Sequence, residues 1–236
     1  MQRYFSNQLV DQEFLLSNDD WHHIKTVMRL QAGDKIEVVY KQELHLACLE
    51  NVNKVLKARD EKNLGKVGEC IPEITLCIPL VKEEKMDFII QKATELGVRK
   101  IIPLKLERCL VKLDETRALK RVSRWQKIAK EASEQSKRTT IPQISSIQRI
   151  TDLPDEGLKL ICSTSEDRVN LHNLLQSHKT CDRIVVVIGP EGGLTKEEEQ
   201  VLCDMEFQRV SLGNRILRVE TVPIFFLSVI NYEYME

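Results

Sequence analysis

Two glycine turns in the last third of the chain carry most of the residues that could do chemistry. The first, Gly189-Pro190-Glu191-Gly192-Gly193, follows the apolar run Val185-Val186-Val187-Ile188. The second is Leu212-Gly213-Asn214-Arg215-Ile216-Leu217-Arg218. Glycine lets a ligand come close to the backbone and permits positive φ. A buried strand that ends in such a turn and then opens a helix has the form of a ligand loop. Charge decides which ligand the first turn suits. Thr195 and Glu198 make a T-x-x-E capping box, and Glu197, Glu198 and Glu199 crowd the positive end of the helix. A phosphate there would meet occupied N–H groups and three carboxylates. Neither GxxxxGK[ST] nor GxGxxG occurs, which disfavours a phosphate-transferring enzyme or a dinucleotide site. A neutral or cationic ligand held by backbone groups fits better, and S-adenosylmethionine, a sulfonium without phosphate, is one. The competing reading is two tight strand-to-helix connections with no ligand.

The elements that must hold these turns read as α/β. Ile74–Val81 predicts a buried strand, Met86–Leu96 a helix closed by Gly97, and 98–104 a second strand, which together make a βαβ unit. A long helix is expected over Arg117–Ser136, with Leu119, Val122, Trp125, Ile128, Ala129 and Ala132 facing inward. Further strands are expected at 158–162, 184–188 and 210–212, alternating with helices at 169–175, 196–203 and 224–232. That alternation argues a mostly parallel sheet. The part before about Cys70 differs. Lys35–Tyr40 and Leu44–Leu49 read as strands, and Ser17 caps a helix through WHHIKTVMRL. KARDEKNLGKVGE reads as a hairpin or linker, and the whole part as a small β-barrel.

The chain has 236 residues, 42% hydrophobic and 30% charged, as a soluble globular protein would. Its start is polar, with no signal-peptide pattern, and the late apolar stretch VPIFFLSVINY is too short to cross a bilayer. Seven cysteines without a CxxC pair indicate neither zinc nor a disulfide framework, which suits reduced thiols in the cytoplasm. Adjacent His22 and His23 have no third ligand at helical spacing, so no metal is expected. The net charge of −1 hides an asymmetry. Residues 73–150 hold 17 Lys/Arg against 10 Asp/Glu, and residues 151–236 hold 8 against 15. Lys120, Arg124 and Lys127 form a basic stripe on the long helix, joined by Lys137 and Arg138 at its end and by Arg3 and Arg29 from the N-terminal part. The stripe suits an anionic partner such as RNA phosphates, or it is a solvated helix face.

Taken together, IGPEGGLTKEEEQ and SLGNRILRVET resemble the C-terminal signature of the bacterial 16S rRNA (uracil-N3)-methyltransferase family, within the SPOUT (trefoil-knot) superfamily. QRYF, HHIKTVMRLQAGDKIEV, KMDFIIQKATELGVRKIIPL, ERCLVKL and RWQKIAKEASEQSKRTTIP resemble family segments in the same order. The resemblance implies a PUA-like β-barrel RNA-binding domain over 1–72 and a trefoil-knotted SPOUT methyltransferase domain over 73–236. It also implies adenosylmethionine as cofactor, 16S rRNA or the assembled small subunit as substrate, and a homodimer. Carried over, Gly189, Pro190, Glu191, Gly192 and Gly193 line one wall of the cofactor site. Leu212, Gly213, Asn214, Ile216, Leu217 and Arg218 line another, and Thr164 closes it. Gly192 is expected close to the ligand, because a glycine-rich strand end permits that approach. Asn214 stands where proline is usual, Val219 where threonine is usual, Val222 and Pro223 where small residues are usual, and Lys137 where glycine is usual. Transfer to uridine N3 asks for stabilisation of negative charge on O2 and O4, for which Arg218 is the candidate. Glu220 is a candidate proton acceptor or a salt-bridge partner that orients Arg218. The rival is a non-catalytic rRNA-binding or ribosome-assembly protein of the same fold, which would not bind the cofactor.

Overall fold

The structure is a computed structural model that describes residues 1–69, 72–165 and 167–234; Cys70 lies outside them. The chain divides into two compact units, Met1–Glu69 with Ser133–Thr140, and Cys70–Ala132 with Ile141–Glu236.

The first unit is built on one six-stranded sheet. Its strands are β1 (Arg3–Phe5), β2 (Leu9–Val10), β3 (Glu13–Phe14), β4 (Lys35–Tyr40), β5 (Glu43–Val52) and β6 (Val55–Lys66), in the order β1-β4-β5-β6-β3-β2. Three hairpins turn on residue pairs that both have positive φ: Asp11-Gln12, Lys41-Gln42 and Asn53-Lys54. That is the I′ form, whose twist matches the flanking strands. The segment expected to be a hairpin or linker is most of β6, one arm of the β5–β6 hairpin. It is polar because only Ala58 of the strand is buried, and its pairing with β5 supplies the order that its composition does not. Tyr4, Phe14, Ile24, Ile36, Val38, Ala47, Leu49 and Ala58 make the core. Ser17 caps α1 (Asn18–His22) with Asp20 in a reciprocal box. The expected longer helix gives way to one π turn over His23–Val27, and Arg29 at φ 54° ends it.

Residues 133–140 belong to this unit through buried charge. Arg3 is 5% exposed; its Nε donates to Glu37 at 2.9 Å and its Nη1 to the carbonyls of Lys137 and Arg138. Arg138 is 7% exposed and donates to the Glu69 carboxylate, which also accepts the N–H groups of Thr139 and Thr140 at 2.9 Å. Lys137 sits at φ 62°, which explains why glycine suits this position, and its Nζ lies 3.1 Å from Glu37.

The second unit is one seven-stranded, wholly parallel sheet. Its strands are β7 (Glu73–Pro79), β8 (Lys100–Leu104), β9 (Gln143–Ile144), β10 (Leu158–Cys162), β11 (Val169–Asn170), β12 (Arg183–Ile188) and β13 (Gln208–Ser211). Their order is β11-β13-β10-β12-β7-β8-β9. The helices are α2 (Glu83–Glu95), α3 (Glu115–Gln135), α4 (Leu171–Ser177), α5 (Lys196–Asp204) and α6 (Thr221–Glu233). Covered on both faces, the central strands are apolar throughout: β12 is buried from Ile184 to Ile188. On α3, Trp125, Ala129 and Ala132 face the core as expected, but Leu119 is 71% exposed. It lies in the first turns of α3, residues 115–120, which are almost wholly solvent-facing. Among the described residues no helix is long and apolar enough to cross a membrane.

Burial pushes the Glu69 carboxyl up, but the Arg138 charge and the hydrogen bonds from Arg138, Thr139 and Thr140 outweigh it and hold the group below the usual carboxylate range. A lowered folded pKa stabilises above the unfolded value and is lost as pH falls through the folded one. Glu69→Gln is therefore expected to lower stability by about 1–3 kcal/mol at neutral pH. The gap from wild type should close in acid. Urea unfolding at several pH values measures it, and a pH-independent difference contradicts the assignment.

Candidate functional site

The sheet order sets β13, β10, β12 and β7 side by side, all pointing the same way. The segments leaving their carboxyl ends therefore converge: Leu212–Gly213 after β13, Ser163–Thr164 after β10, Gly189–Gly193 after β12, and Lys85 in the first turn of α2 after β7. Two adjoining cavities, of about 560 and 290 Å³, open there. They share Cys162, Ser163, Thr164, Ile216, Leu217 and Val222, so they form one bilobed site. The volumes lie in the range of small-molecule pockets.

Both glycine turns and Thr164 line this site, as do Asn214, Ile216, Leu217 and Arg218. Glycine is required by backbone conformation at Gly193 (φ 71°) and Gly213 (φ 109°). At Gly189 an added Cβ would stand 3.0 Å from the Leu194 nitrogen. Gly192 lines the cavity, but the direction a side chain would take there is toward Arg108 Cδ, at 3.4 Å. The capping box forms as expected: Glu198 N–H donates to Thr195 Oγ1 at 3.1 Å and Thr195 N–H to Glu198 Oε2 at 2.9 Å.

Several residues that sequence reasoning missed hold the loops. Arg108 donates from Nη1 to the carbonyls of Gly192 (2.7 Å) and Leu194 (3.2 Å). The N–H of Glu107 donates to Glu198 at 2.8 Å. Ser163 donates to Glu199 at 3.1 Å, and Glu199 accepts Arg209 Nε at 3.0 Å. Arg168 donates to the carbonyls of Thr164 and Ser165 and lines the smaller lobe. Lys85 lies 3.0 Å from Glu191 and 3.1 Å from Glu220. No local spacing marks Lys85, Glu107 or Arg108, because their partners stand tens of residues away, and Arg168 reaches carbonyls only three and four residues back in a turn without a regular pattern. Cys162 faces the cavity with its thiol pushed up to about 12 by burial, so it is no nucleophile.

Arg218 and Glu220 stand differently from the expected pair. Arg218 is exposed on the cavity wall, and among the described residues its guanidinium makes no hydrogen bond or ion pair. Glu220 does not line the cavity and takes Lys85, not Arg218, as its ion partner. Of the expected RNA contacts, Lys120, Lys127 and Arg29 are exposed. Arg124 turns its guanidinium to Glu83 and Asp87 of α2. Arg3 and Arg138 are buried within their own unit, and Lys137 is engaged by Glu37 and the Met1 carbonyl, so those three charges hold the fold. Of the two histidines, His23 Nδ1 bonds the Tyr4 hydroxyl at 3.0 Å. Among the described residues no three His, Cys, Asp or Glu side chains are placed to hold a metal.

The chain matches the RNA methyltransferase domain over residues 69–231 and the RNA methyltransferase PUA domain over residues 16–56. It is 33% identical to the ribosomal RNA small subunit methyltransferase E of Bacillus subtilis, over 99% of this chain and 97% of that one. It is 32% identical to the protein of the same name from Mesomycoplasma hyopneumoniae, over 97% and 98%. Among solved structures it is similar to a ribosomal RNA small subunit methyltransferase E from Neisseria gonorrhoeae bound to S-adenosyl methionine. That match has a TM-score of 0.87 and 32% identity, and covers 99% of this chain and 98% of that one. It is also similar to a Legionella pneumophila structure in complex with the cofactor SAM, with a TM-score of 0.86 and 28% identity, covering 98% and 97%.

The backbone conformations order the glycines. Gly193→Ala is expected to lower stability by about 1 kcal/mol or more, because alanine resists the left-handed region. Gly192→Ala should have a smaller effect, since its methyl meets Arg108 at ordinary contact distance. Urea unfolding of both variants checks the order, and the reverse order contradicts it.

Proposed function

Because the chain belongs to the RNA methyltransferase family, among the ribosomal RNA small subunit methyltransferases E, we propose that it methylates N3 of a uridine in 16S rRNA with S-adenosylmethionine. The observation that carries this reading is the bilobed cavity at four parallel strand ends, with both glycine turns on its wall. The donor set fits the cofactor. Backbone groups of two loops are offered, no lysine loop awaits phosphate, and Glu191 and Glu199 line the larger lobe, where a cation is welcome. The cofactor supplies an electrophilic methyl group on a sulfonium.

The protein must hold the uridine ring with N3 in line and stabilise it as N3 loses its proton and gains the methyl. Arg218, on the cavity wall with its guanidinium uncommitted, is the group that meets the charge spreading over O2 and O4. Val219 beside it is buried and adds no hydroxyl to the reaction centre. Glu220, paired with Lys85, is not placed to take the N3 proton directly. The RNA backbone is gripped by the exposed Lys120, Lys127 and Arg29, which position the substrate without reading its sequence. Residues 1–72, completed by 133–140, serve as the RNA-binding domain and the rest of 73–236 as the catalytic domain, with the assembled small subunit in the cytoplasm as substrate. The enzyme acts as a homodimer: Ile216 at 88% and Tyr232 at 78% exposure leave apolar surface beside the site and on α6 for a second copy.

Incubation with labelled adenosylmethionine and small ribosomal subunits, followed by nucleoside analysis, is expected to yield 3-methyluridine. A protein that binds no cofactor would instead be an assembly factor. Arg218→Ala should lose roughly 2–4 kcal/mol of transition-state stabilisation in single-turnover assays while cofactor affinity changes little. A wild-type rate would make Arg218 structural. Lys120→Gln with Lys127→Gln should weaken RNA binding and flatten its salt dependence, with cofactor binding intact. An unchanged slope would assign the stripe to solvent.

A further inference from the structure

Lys85 stands apart among the charged residues of the site because it joins two loops that the mechanism uses separately. It enters from the first turn of α2, the segment that leaves β7. Its ammonium lies 3.0 Å from Glu191 of the glycine turn and 3.1 Å from Glu220, which directly precedes α6. Three segments from separate places in the chain thus meet on one charge at the cavity edge. The carboxylate of Glu220 is 19% exposed, and its Oε2 is buried without a well-aligned hydrogen bond. The ammonium therefore compensates its charge at ion-pair distance rather than through a directed bond. Arg218 and Val219, immediately before Glu220, line the cavity, so any shift of Glu220 is passed to Arg218 along the backbone.

We propose that Lys85 is a positioning residue for methyl transfer, holding the cofactor-side turn and the Arg218–Glu220 segment in one arrangement and keeping Glu220 as a fixed anion. The proposal rests on the methyltransferase reading above. The charges facing Glu220 are Lys85 from α2, Glu191 beyond it on the glycine turn, and Arg218 on its own segment; α6 brings no charged side chain before Glu233. Its own backbone N–H, with Lys85 and then Arg218, holds the Glu220 carboxyl below the usual range against the effect of burial. Without Lys85, Glu191 and Glu220 would face one another as uncompensated like charges. Repulsion would part the two loops, and the Glu220 carboxyl would rise. A lowered pKa means that the ionised arrangement persists as pH falls until the folded value is reached; a raised one means that it is lost sooner.

The test compares Lys85→Met and Lys85→Arg with wild type. Glu220 titration is followed by NMR of protein carrying ¹³C-labelled glutamate carboxyls, the signal assigned by its absence in Glu220→Gln. In Lys85→Met the Glu220 midpoint should rise by about one pH unit, and Lys85→Arg should restore most of the shift. In single-turnover methylation Lys85→Met should lose roughly tenfold or more in rate, with its acid limb moved up in pH and cofactor affinity within about threefold. An unmoved Glu220 midpoint in folded Lys85→Met overturns the proposal whatever the enzymatic result. A moved midpoint with wild-type rate and acid limb also overturns it, since the ion pair would then serve stability alone. A wild-type protein that binds no cofactor would instead count against the reading of function, and the titration would still decide whether Lys85 governs Glu220.

Discussion

The parallel hydrogen bonding of β13, β10, β12 and β7 is the constraint on which the site depends. A parallel pair cannot be closed by a short hairpin, so each strand must hand the chain to a crossover that starts at the same edge of the sheet. Four such departures at neighbouring strands bring together backbone segments drawn from between residues 80 and 213. The apolar filling of these strands, from Ile74 to Ile188, fixes their register and so the height at which each turn emerges. The cavity is in this sense a property of the sheet edge, and the glycine turns are what keep that edge open.

Charge then divides the labour among the turns. The capping box on α5 satisfies that helix from within, and Glu198 also accepts the N–H of Glu107, so the helix end is closed to an anionic ligand. Glu199 serves the neighbouring turn through Ser163 and is itself held by Arg209. Arg108 takes the outward carbonyls of Gly192 and Leu194. With those carbonyls engaged on the far side, the inner face of the turn is left to the cavity. Rigid support of this kind matters where a reacting group must be held to a fraction of an ångström.

Much of this was legible in the sequence. The valine run of β12, the turn after it and the T-x-x-E box identify a strand, loop and helix start by chemistry that acts within a few residues, and these stand where they were expected. The boundaries of β4 and β10 follow for the same reason. What was not legible depends on partners distant in the chain. Strand β6 is polar and becomes a strand only because β5 pairs with it. Leu119 keeps the period of the buried face of α3 but lies in its solvent-facing first turns. Arg3, Lys137 and Arg138 look like free surface charge until Glu37 and Glu69 are found against them. Lys85, Arg108 and Arg168 escaped notice because a lysine or arginine has no local pattern that tells whether it points to solvent or to a backbone carbonyl.

The first unit contains residues 133–140, which the ribosome makes after all of β7, β8 and most of α3. A growing chain therefore exposes β1 to β6 before Arg138 exists to meet Glu69, or the Lys137 and Arg138 carbonyls to receive Arg3. Synthesis at about 5–20 residues per second sets a delay of several seconds between those events. During that interval the first unit lacks its closing segment, and Glu69 has neither its cation nor its amide donors. The N-terminal unit of this protein is thus completed from the middle of the chain, and it cannot close until more than half of the chain has been made.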